Sequence, residues 1–225
     1  DPEPIERADY LVVESTYGDR RHDRTSPEEA LEEVISRTVR RGGSVLIPAF
    51  AVGRAQSLLF HLSQLRKQGR LEVPVYLDSP MAADASDILC AHPHETRLSG
   101  SECRDACGVA RYTRDVEESK SLDRDTVPKV IVSASGMATG GRVLHHLKHY
   151  APDRRNTILL AGFQAGGTRG AALKAGAPEL KIHGEYVPVR AEVANLDMLS
   201  AHADRDELMR WLGGFEAPPR MTFVT

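Results

Sequence analysis

Two stretches of this sequence carry residue types that could act on a charged ligand. The first reads Ser133-Ala134-Ser135-Gly136-Met137-Ala138-Thr139-Gly140-Gly141-Arg142. Its glycines let a backbone approach a ligand closely, and the helix predicted after it offers free amides and a positive dipole. Arg142 adds a fixed charge with a planar fork of donors. That set suits a phosphate. The Gly-Lys-Ser/Thr ending of a Walker loop is missing, and the run is not a dinucleotide fingerprint. A tight packing turn between strand and helix would use the same residues. The second stretch is Leu199-Ser200-Ala201-His202-Ala203-Asp204, with a His and an Asp two positions apart just before a helix. A histidine there could be a general acid or a ligand near neutral pH. Plain helix capping would account for the pair equally well. Glu14, at the end of a short apolar strand, reads as a hydrogen-bond anchor or an active-site carboxylate.

Other candidates carry less. His92-Pro93-His94 has ligand-like spacing, but no Asp-His pair follows and the region reads as surface loop. His145, His146 and His149, with Lys148, fall on one predicted helix. Positions 145 and 149 share a face that could hold a metal, and a solvated basic face is the plainer reading. The cysteines are Cys90, Cys103 and Cys107. An odd count without a secretory leader favours reduced thiols. Cys103 and Cys107 lack a second Cys or His pair at finger spacing, so their expected role is structural or incidental.

The elements that must position these residues alternate between strand and helix. Residues 10–13 form a β-rich run. Ser26-Pro27-Glu28-Glu29 supplies an N-cap, a proline at the first helical position and a capping box. Leu31, Val34, Ile35 and Val39 follow at helical spacing until Gly42-Gly43 stops the helix. Residues 44–48 are a continuous apolar run, as in a buried parallel strand. A helix over 53–67, a strand over 73–77, a strand over 129–132, a helix over 142–150 and a strand over 157–160 come next. Residues 91–125 read as irregular with short helices, and 171–174 as a short helix. Residues 180–196 alternate in short runs and read as antiparallel strands with Gly184 at a turn. A helix over 204–212 and a strand over 221–224 finish the chain. Repeated strand–helix–strand units imply an α/β fold, a mainly parallel sheet with helices on both faces. Functional loops then lie at the carboxyl ends of strands. Four such ends are rich in polar residues and glycine: 14–18, 78–81, 133–137 and 162–167.

Composition sets limits. The chain has 225 residues, 41% hydrophobic and 27% charged, with no repeats and no low-complexity tract. No apolar run reaches the ~18 residues of a membrane span, and no basic-then-apolar leader opens it. The expected setting is the cytoplasm, away from membranes. Asp1-Pro2-Glu3-Pro4 lacks an initiator Met and reads as a cut or a linker. Lys plus Arg number 29 against 32 acidic residues, a net charge of −3. A wholly basic surface is excluded, and a focused phosphate-binding cleft is not. Aromatics at 5% leave few residues for stacking on bases.

Five motifs occur in a set order: Glu14-Ser15-Thr16-Tyr17-Gly18, Ile47 to Gln56 (Ile-Pro-Ala-Phe-Ala-Val-Gly-Arg-Ala-Gln), Leu77-Asp78-Ser79-Pro80-Met81, the 133–142 loop with Leu144-His145-His146-Leu147, and Ser200-Ala201-His202-Ala203-Asp204. Together they resemble the β-CASP branch of the metallo-β-lactamase-fold nucleases, relatives of the cleavage-and-polyadenylation endonuclease subunit. The resemblance covers essentially the whole chain. It implies a metallo-β-lactamase domain with two zinc ions, an inserted β-CASP lid, and RNA in the cleft between them. Carried across, Glu14 matches the first β-CASP motif. His202 matches the second, a general acid or a stabiliser of the scissile phosphate. Ser133, Ser135, Gly136, Met137, Gly141 and Arg142 match positions implied to contact RNA phosphates.

The departures shape the expectation. The family's His-x-His-x-Asp-His zinc motif is absent, and so is the third-motif His that would follow residues 221–225. No metal ligand is expected in this chain, although zinc is expected in its parent. The resemblance implies residues 1–16 as the end of the first part of a metallo-β-lactamase αββα domain. It implies 17–190 as the β-CASP domain and 191–225 as a return segment. The implied parent is a zinc-dependent ribonuclease acting in RNA processing or decay. The chain alone is expected to be inactive, to bind RNA weakly and steeply with salt, and to be a candidate homodimer. The flanking strips are expected to carry apolar surface normally covered. Three alternatives stay open: an inactive family member that binds RNA or a partner, a DNA-processing nuclease of the cross-link repair branch, and an unrelated phosphate-binding α/β domain.

Overall fold

The computed structural model describes residues 2–225. In chain order the elements are β1 (Tyr10–Val13), α1 (Pro27–Arg40), β2 (Val45–Pro48), α2 (Arg54–Lys67), β3 (Val75–Asp78), α3 (Pro80–Ala91), a 3-10 turn (Pro93–Glu95), α4 (Gly100–Gly108), β4 (Arg111–Tyr112), α5 (Val116–Arg124), β5 (Val130–Ser133), α6 (Val143–Tyr150), β6 (Thr157–Ala161), α7 (Arg169–Lys174), β7 (Glu179–Ile182), β8 (Glu185–Pro188), β9 (Glu192–Leu196), α8 (Arg205–Leu212) and β10 (Met221–Val224). They group into two compact units. One is Thr25–Leu199; the other joins Asp1–Arg24 to Ser200–Thr225.

The larger unit is built on a six-stranded sheet in the order β4-β3-β5-β2-β6-β9, every pair parallel. β5 lies between β2 and β3, with Val130 opposite both Val45 and Val75. β2 and β5 are buried at every residue, which is why their sequences are continuous apolar runs. On one face α1 and α2 lay Leu31, Val34, Ile35, Leu58, Leu59 and Leu62 against Val45, Ile47, Val130 and Val132. On the other, Val143, Leu147 and Tyr150 of α6 cover Leu46, Ile131 and Ile158, joined by Leu180, Ile182 and Val187. α1 starts with Ser26 as N-cap and Pro27 in the first turn, but in place of the expected capping box the Ser26 hydroxyl donates to Glu28 at 2.8 Å. Past its end, Gly43 has no alternative: a Cβ there would lie 1.8 Å from the Arg155 carbonyl oxygen.

Three expectations change. In residues 180–196, β7 and β8 do form an antiparallel hairpin. β9, however, runs parallel to β6 over its whole length, from Thr157 opposite Glu192 to Ala161 opposite Leu196. This edge strand keeps the large unit going to Leu199, so the seams fall at 24/25 and 199/200. Second, Pro80–Ala91 is a helix capped by the Ser79 hydroxyl where no helix was read, while the short helices expected within 91–125 are α4 and α5. These two helices have nine residues each, too few for a clear periodicity, and only their caps mark them: Ser99 with Glu102, and Asp115. Third, the cysteines are not all thiols. α3 and α4 pack together and bring Cys90 and Cys107 into a disulfide with Cα atoms 6.7 Å apart, while Cys103 is free and buried.

In the smaller unit β1 pairs parallel with β10, Tyr10 opposite Met221 through Val13 opposite Val224. Asp204 caps α8, and the Trp211 indole donates to the Glu3 carbonyl at 3.0 Å. Tyr10, Val12, Met221, Phe223 and Val224 leave about half or more of their surface exposed, so the apolar strip is uncovered as expected. Among the described residues, no helix is long and apolar enough to cross a membrane.

Candidate functional site

In the smaller unit, β1 delivers Glu14 and the turn before α8 delivers His202. The strand is held in place past its end, where the Ser15 amide donates to the Thr225 carbonyl at 2.9 Å. The turn is shaped by the Ser200 hydroxyl, which accepts the His202 amide at 3.1 Å. Glu14 then holds the turn with both oxygens. One accepts the Ala203 amide at 3.0 Å, and the other lies 2.6 Å from His202 Nδ1. Partial burial pushes the Glu14 carboxyl up, but the Ala203 amide, His202 and the Thr16 hydroxyl outweigh it and hold it below its ordinary 4.5. An ionised carboxylate only accepts, so Nδ1 of His202 must donate. Nε2 is then the nitrogen left for chemistry, on a side chain about half exposed.

Asp204 plays another part. Its carboxylate accepts the amides of His22 at 3.0 Å and Glu207 at 2.9 Å, and these bonds hold its carboxyl below the usual range. Capping is therefore the right reading for Asp204. His202 instead takes its partner from 188 positions away. His22, Asp204 and Glu207 offer ligand atoms within 4.8 Å of one another. They do not fit a zinc pair. Asp204 and Glu207 are tied into a reciprocal capping box, His22 Nε2 lies 2.9 Å from the His202 carbonyl oxygen, and the positive end of α8 opposes a cation. No other such cluster occurs among the described residues.

The 133–142 loop joins β5 to α6 in the larger unit. Ser133 is buried; its hydroxyl donates to the Asp78 carbonyl at 2.8 Å and its carbonyl accepts the Ala49 amide at 2.9 Å. Ser135 folds the loop on itself, its hydroxyl oxygen accepting the amides of Thr139 at 3.0 Å and Gly140 at 3.3 Å. Gly136 lies so close to the turn after β2 that a Cβ would come within 2.9 Å of the Phe50 nitrogen. Its carbonyl accepts from Gln164 Nε2 at 3.2 Å, and the Met137 carbonyl accepts the Gly170 amide at 2.9 Å. Gly141 has φ +80°. The amides of Gly136 and Met137 find no acceptor among the described residues.

Arg142 departs from expectation. Nη1 donates to Asp78 Oδ1 at 2.6 Å and to the Thr113 carbonyl at 3.1 Å, and Nη2 to the Arg114 carbonyl at 2.7 Å. The guanidinium is bound into the protein instead of presented to a phosphate, because Asp78 is fully buried and needs it. Ser133 is withdrawn for a similar reason. His146 departs too. It is fully buried, with Nε2 2.6 Å from Asp78 and Nδ1 2.6 Å from Asp123. Burial alone would pull it down, yet the two carboxylates push it up to about 9. Asp78 is pushed up by burial, but His146, Ser119 and Arg142 hold it below its usual range. The sequence held a signal for this: positions 143, 146, 147 and 150 make one helical face, and it is the apolar one. His145 and His149 do face solvent, His145 against the His183 ring at 4.8 Å.

These residues sit on a chain whose residues 55–173 match the Beta-Casp domain family. The chain belongs to the Beta-Casp family. Residues 186–225 also match the Zn-dependent metallo-hydrolase RNA specificity domain. Among curated proteins, Ribonuclease TTHA0252 of Thermus thermophilus is 40% identical over the whole chain and 53% of its own length. Transcription termination factor FttA of Pyrococcus horikoshii is 36% identical over 95% of the chain and 35% of its own length. An RNase J-like protein of Methanocaldococcus jannaschii is 35% identical over 96% and 51%. The chain thus spans about half, or less, of the relatives it matches. The family read from the five motifs is the family found.

Proposed function

We propose that this Beta-Casp chain is part of a zinc-dependent ribonuclease that hydrolyses RNA phosphodiester bonds in RNA processing or decay. The observation that carries the proposal is the Glu14–His202 pair. Phosphodiester cleavage leaves an oxyanion that needs a proton, and the bridging phosphate gains from nearby positive charge. As an imidazolium, His202 supplies both through Nε2, while Glu14 fixes the ring and steadies its charge. The zinc implied by the matched domain needs ligands other than the residues described above, so the 225-residue chain alone cleaves nothing. The names ribonuclease and transcription termination factor among its relatives favour RNA over DNA as the substrate.

The 133–142 loop supplies contacts to the RNA backbone. Unpaired amides at Gly136 and Met137, with Ser135 and Gly141 shaping the turn, suit a phosphate oxygen. Ser133 and Arg142 serve by holding that loop. With net charge −3, affinity comes from this focused site and falls steeply with salt. The compartment proposed is the cytoplasm and the assembly a homodimer, checked by sedimentation of the parent.

The deciding experiment replaces His202 in the full-length parent. His202→Ala lowers RNA cleavage by roughly two or more orders of magnitude and leaves zinc content near wild type. Undiminished cleavage, or loss of zinc in step with activity, overturns the role given to His202.

A further inference from the structure

The carboxyl edge of the six-stranded sheet hides a chain of charges. A fully buried carboxylate such as Asp78 is costly unless every oxygen is paired. Its partners arrive from separate segments: Arg142 at the end of the loop, His146 on α6 and Ser119 on α5, whose hydroxyl donates at 2.5 Å. The chain continues through His146 to Asp123, which is partly exposed. Both ring nitrogens of His146 face carboxylates, so both donate and the ring is an imidazolium. Two carboxylates and two cations then cancel, and the cluster is neutral as a whole.

The geometry has a second property. The loop is pinned at both ends to one residue. Ser133 donates its hydroxyl to the Asp78 carbonyl, and Arg142 donates its guanidinium to the Asp78 carboxylate. Between them the loop closes through Ser135 to Gly140 and Val143 to Ala134, all by backbone amides. Packing alone does not call for such an arrangement, since apolar residues fill buried space at less cost. What charged, directional bonds add is a fixed position, and a backbone-amide phosphate site needs that.

We propose that Asp78, locked from behind by His146 and Asp123, is the anchor that presets the 133–142 loop for the RNA backbone, with Arg142 a positioning residue and not a phosphate ligand. Only the mention of RNA rests on the function proposed above; the anchoring stands without it.

The test has two arms on the 225-residue chain. In the first, amide hydrogen exchange compares wild type with His146→Gln and Arg142→Lys. The loop amides of Thr139, Gly140 and Val143 exchange about tenfold or more faster in both variants, while those of β2 keep wild-type rates. Unchanged loop exchange overturns the proposal, and so does an equal rise in β2. Arg142 is partly exposed, so its variant reads out even if His146→Gln does not fold. In the second arm, a short oligouridylate is titrated against salt. Arg142→Gln and His146→Gln each weaken binding at least ~fivefold without changing the slope of log affinity against log salt. A slope smaller by about one in Arg142→Gln identifies a lost phosphate contact and overturns the positioning role. Wild type that fails to bind the RNA refutes the functional reading, and the exchange arm alone then decides the anchor.

Discussion

Raising the pH should unlock the larger unit through His146. The imidazole is fully buried between Asp78 and Asp123, and its folded value is about 9 against an ordinary 6.5. Because the folded value is the higher one, the folded state keeps a proton that the unfolded chain releases across that window. The stabilisation is present in full below about 6.5, falls by up to ~1.4 kcal/mol per pH unit, and is gone above about 9. The total is on the order of 3 kcal/mol, a large share of the 5–15 kcal/mol typical of a domain. Asp78 acts in the opposite sense: its value is lowered, so its contribution is present above the ordinary 3.8 and lost as pH falls through the folded value. Stability should therefore peak between the two. Urea unfolding followed by far-UV circular dichroism, from about pH 6 to about pH 9.5, measures it. The single tryptophan, Trp211, belongs to the smaller unit and is the wrong probe. The decisive comparison is His146→Gln, which should lose stability at neutral pH and show a much flatter profile across the same window. A wild-type profile without decline, or an equal decline in the variant, refutes the buried-imidazolium argument.

Gly43→Ala should lower stability by about 1–3 kcal/mol, read as a drop in Tm, because its Cβ meets backbone at Arg155 that no side-chain rotation can move. Cys90→Ser should cost about 3 kcal/mol by loop entropy, since the disulfide spans 17 positions. An unfolding midpoint that does not shift, in the variant or on reduction of wild type, would show that Cys90 and Cys107 are not bridged in solution.

Much of the sheet was legible because its strands obey a local rule. Residues 45–48 and 130–133 are buried on both faces, and burial on both faces writes a continuous apolar run. β9 was misjudged because its pairing is not local. Glu192 to Leu196 is a short mixed run that carries no mark of its direction, and only its neighbour β6 decides that it runs parallel. The site divided in the same way. Glu14 and His202 were singled out by motif, and their 2.6 Å contact could not be, since 188 positions separate them. Arg142 was read as a fixed charge suited to a phosphate because a sequence shows a charge and not its partner. Asp78 was visible as a polar strand end and a motif position with no role attached, yet its complete burial decides what Arg142 and His146 do.

Two carboxylates, one in each unit, perform the same electrostatic task to different ends. Glu14 and Asp78 are both held below their ordinary values by the donors around them, so both are acceptors at neutral pH. Each therefore dictates which nitrogen of its histidine donates: Nδ1 of His202, Nε2 of His146. Solvent separates the outcomes. His146 has a second carboxylate on its other nitrogen and no exposed surface, so its proton is trapped and serves only to hold Asp78 and, through it, Arg142. His202 is about half exposed, with one carboxylate and one open nitrogen, so it can give up a proton and regain it from water. A general acid must do both in every turnover. That difference, more than proximity to any motif, supports the proposal that His202 carries the chemistry and His146 the positioning.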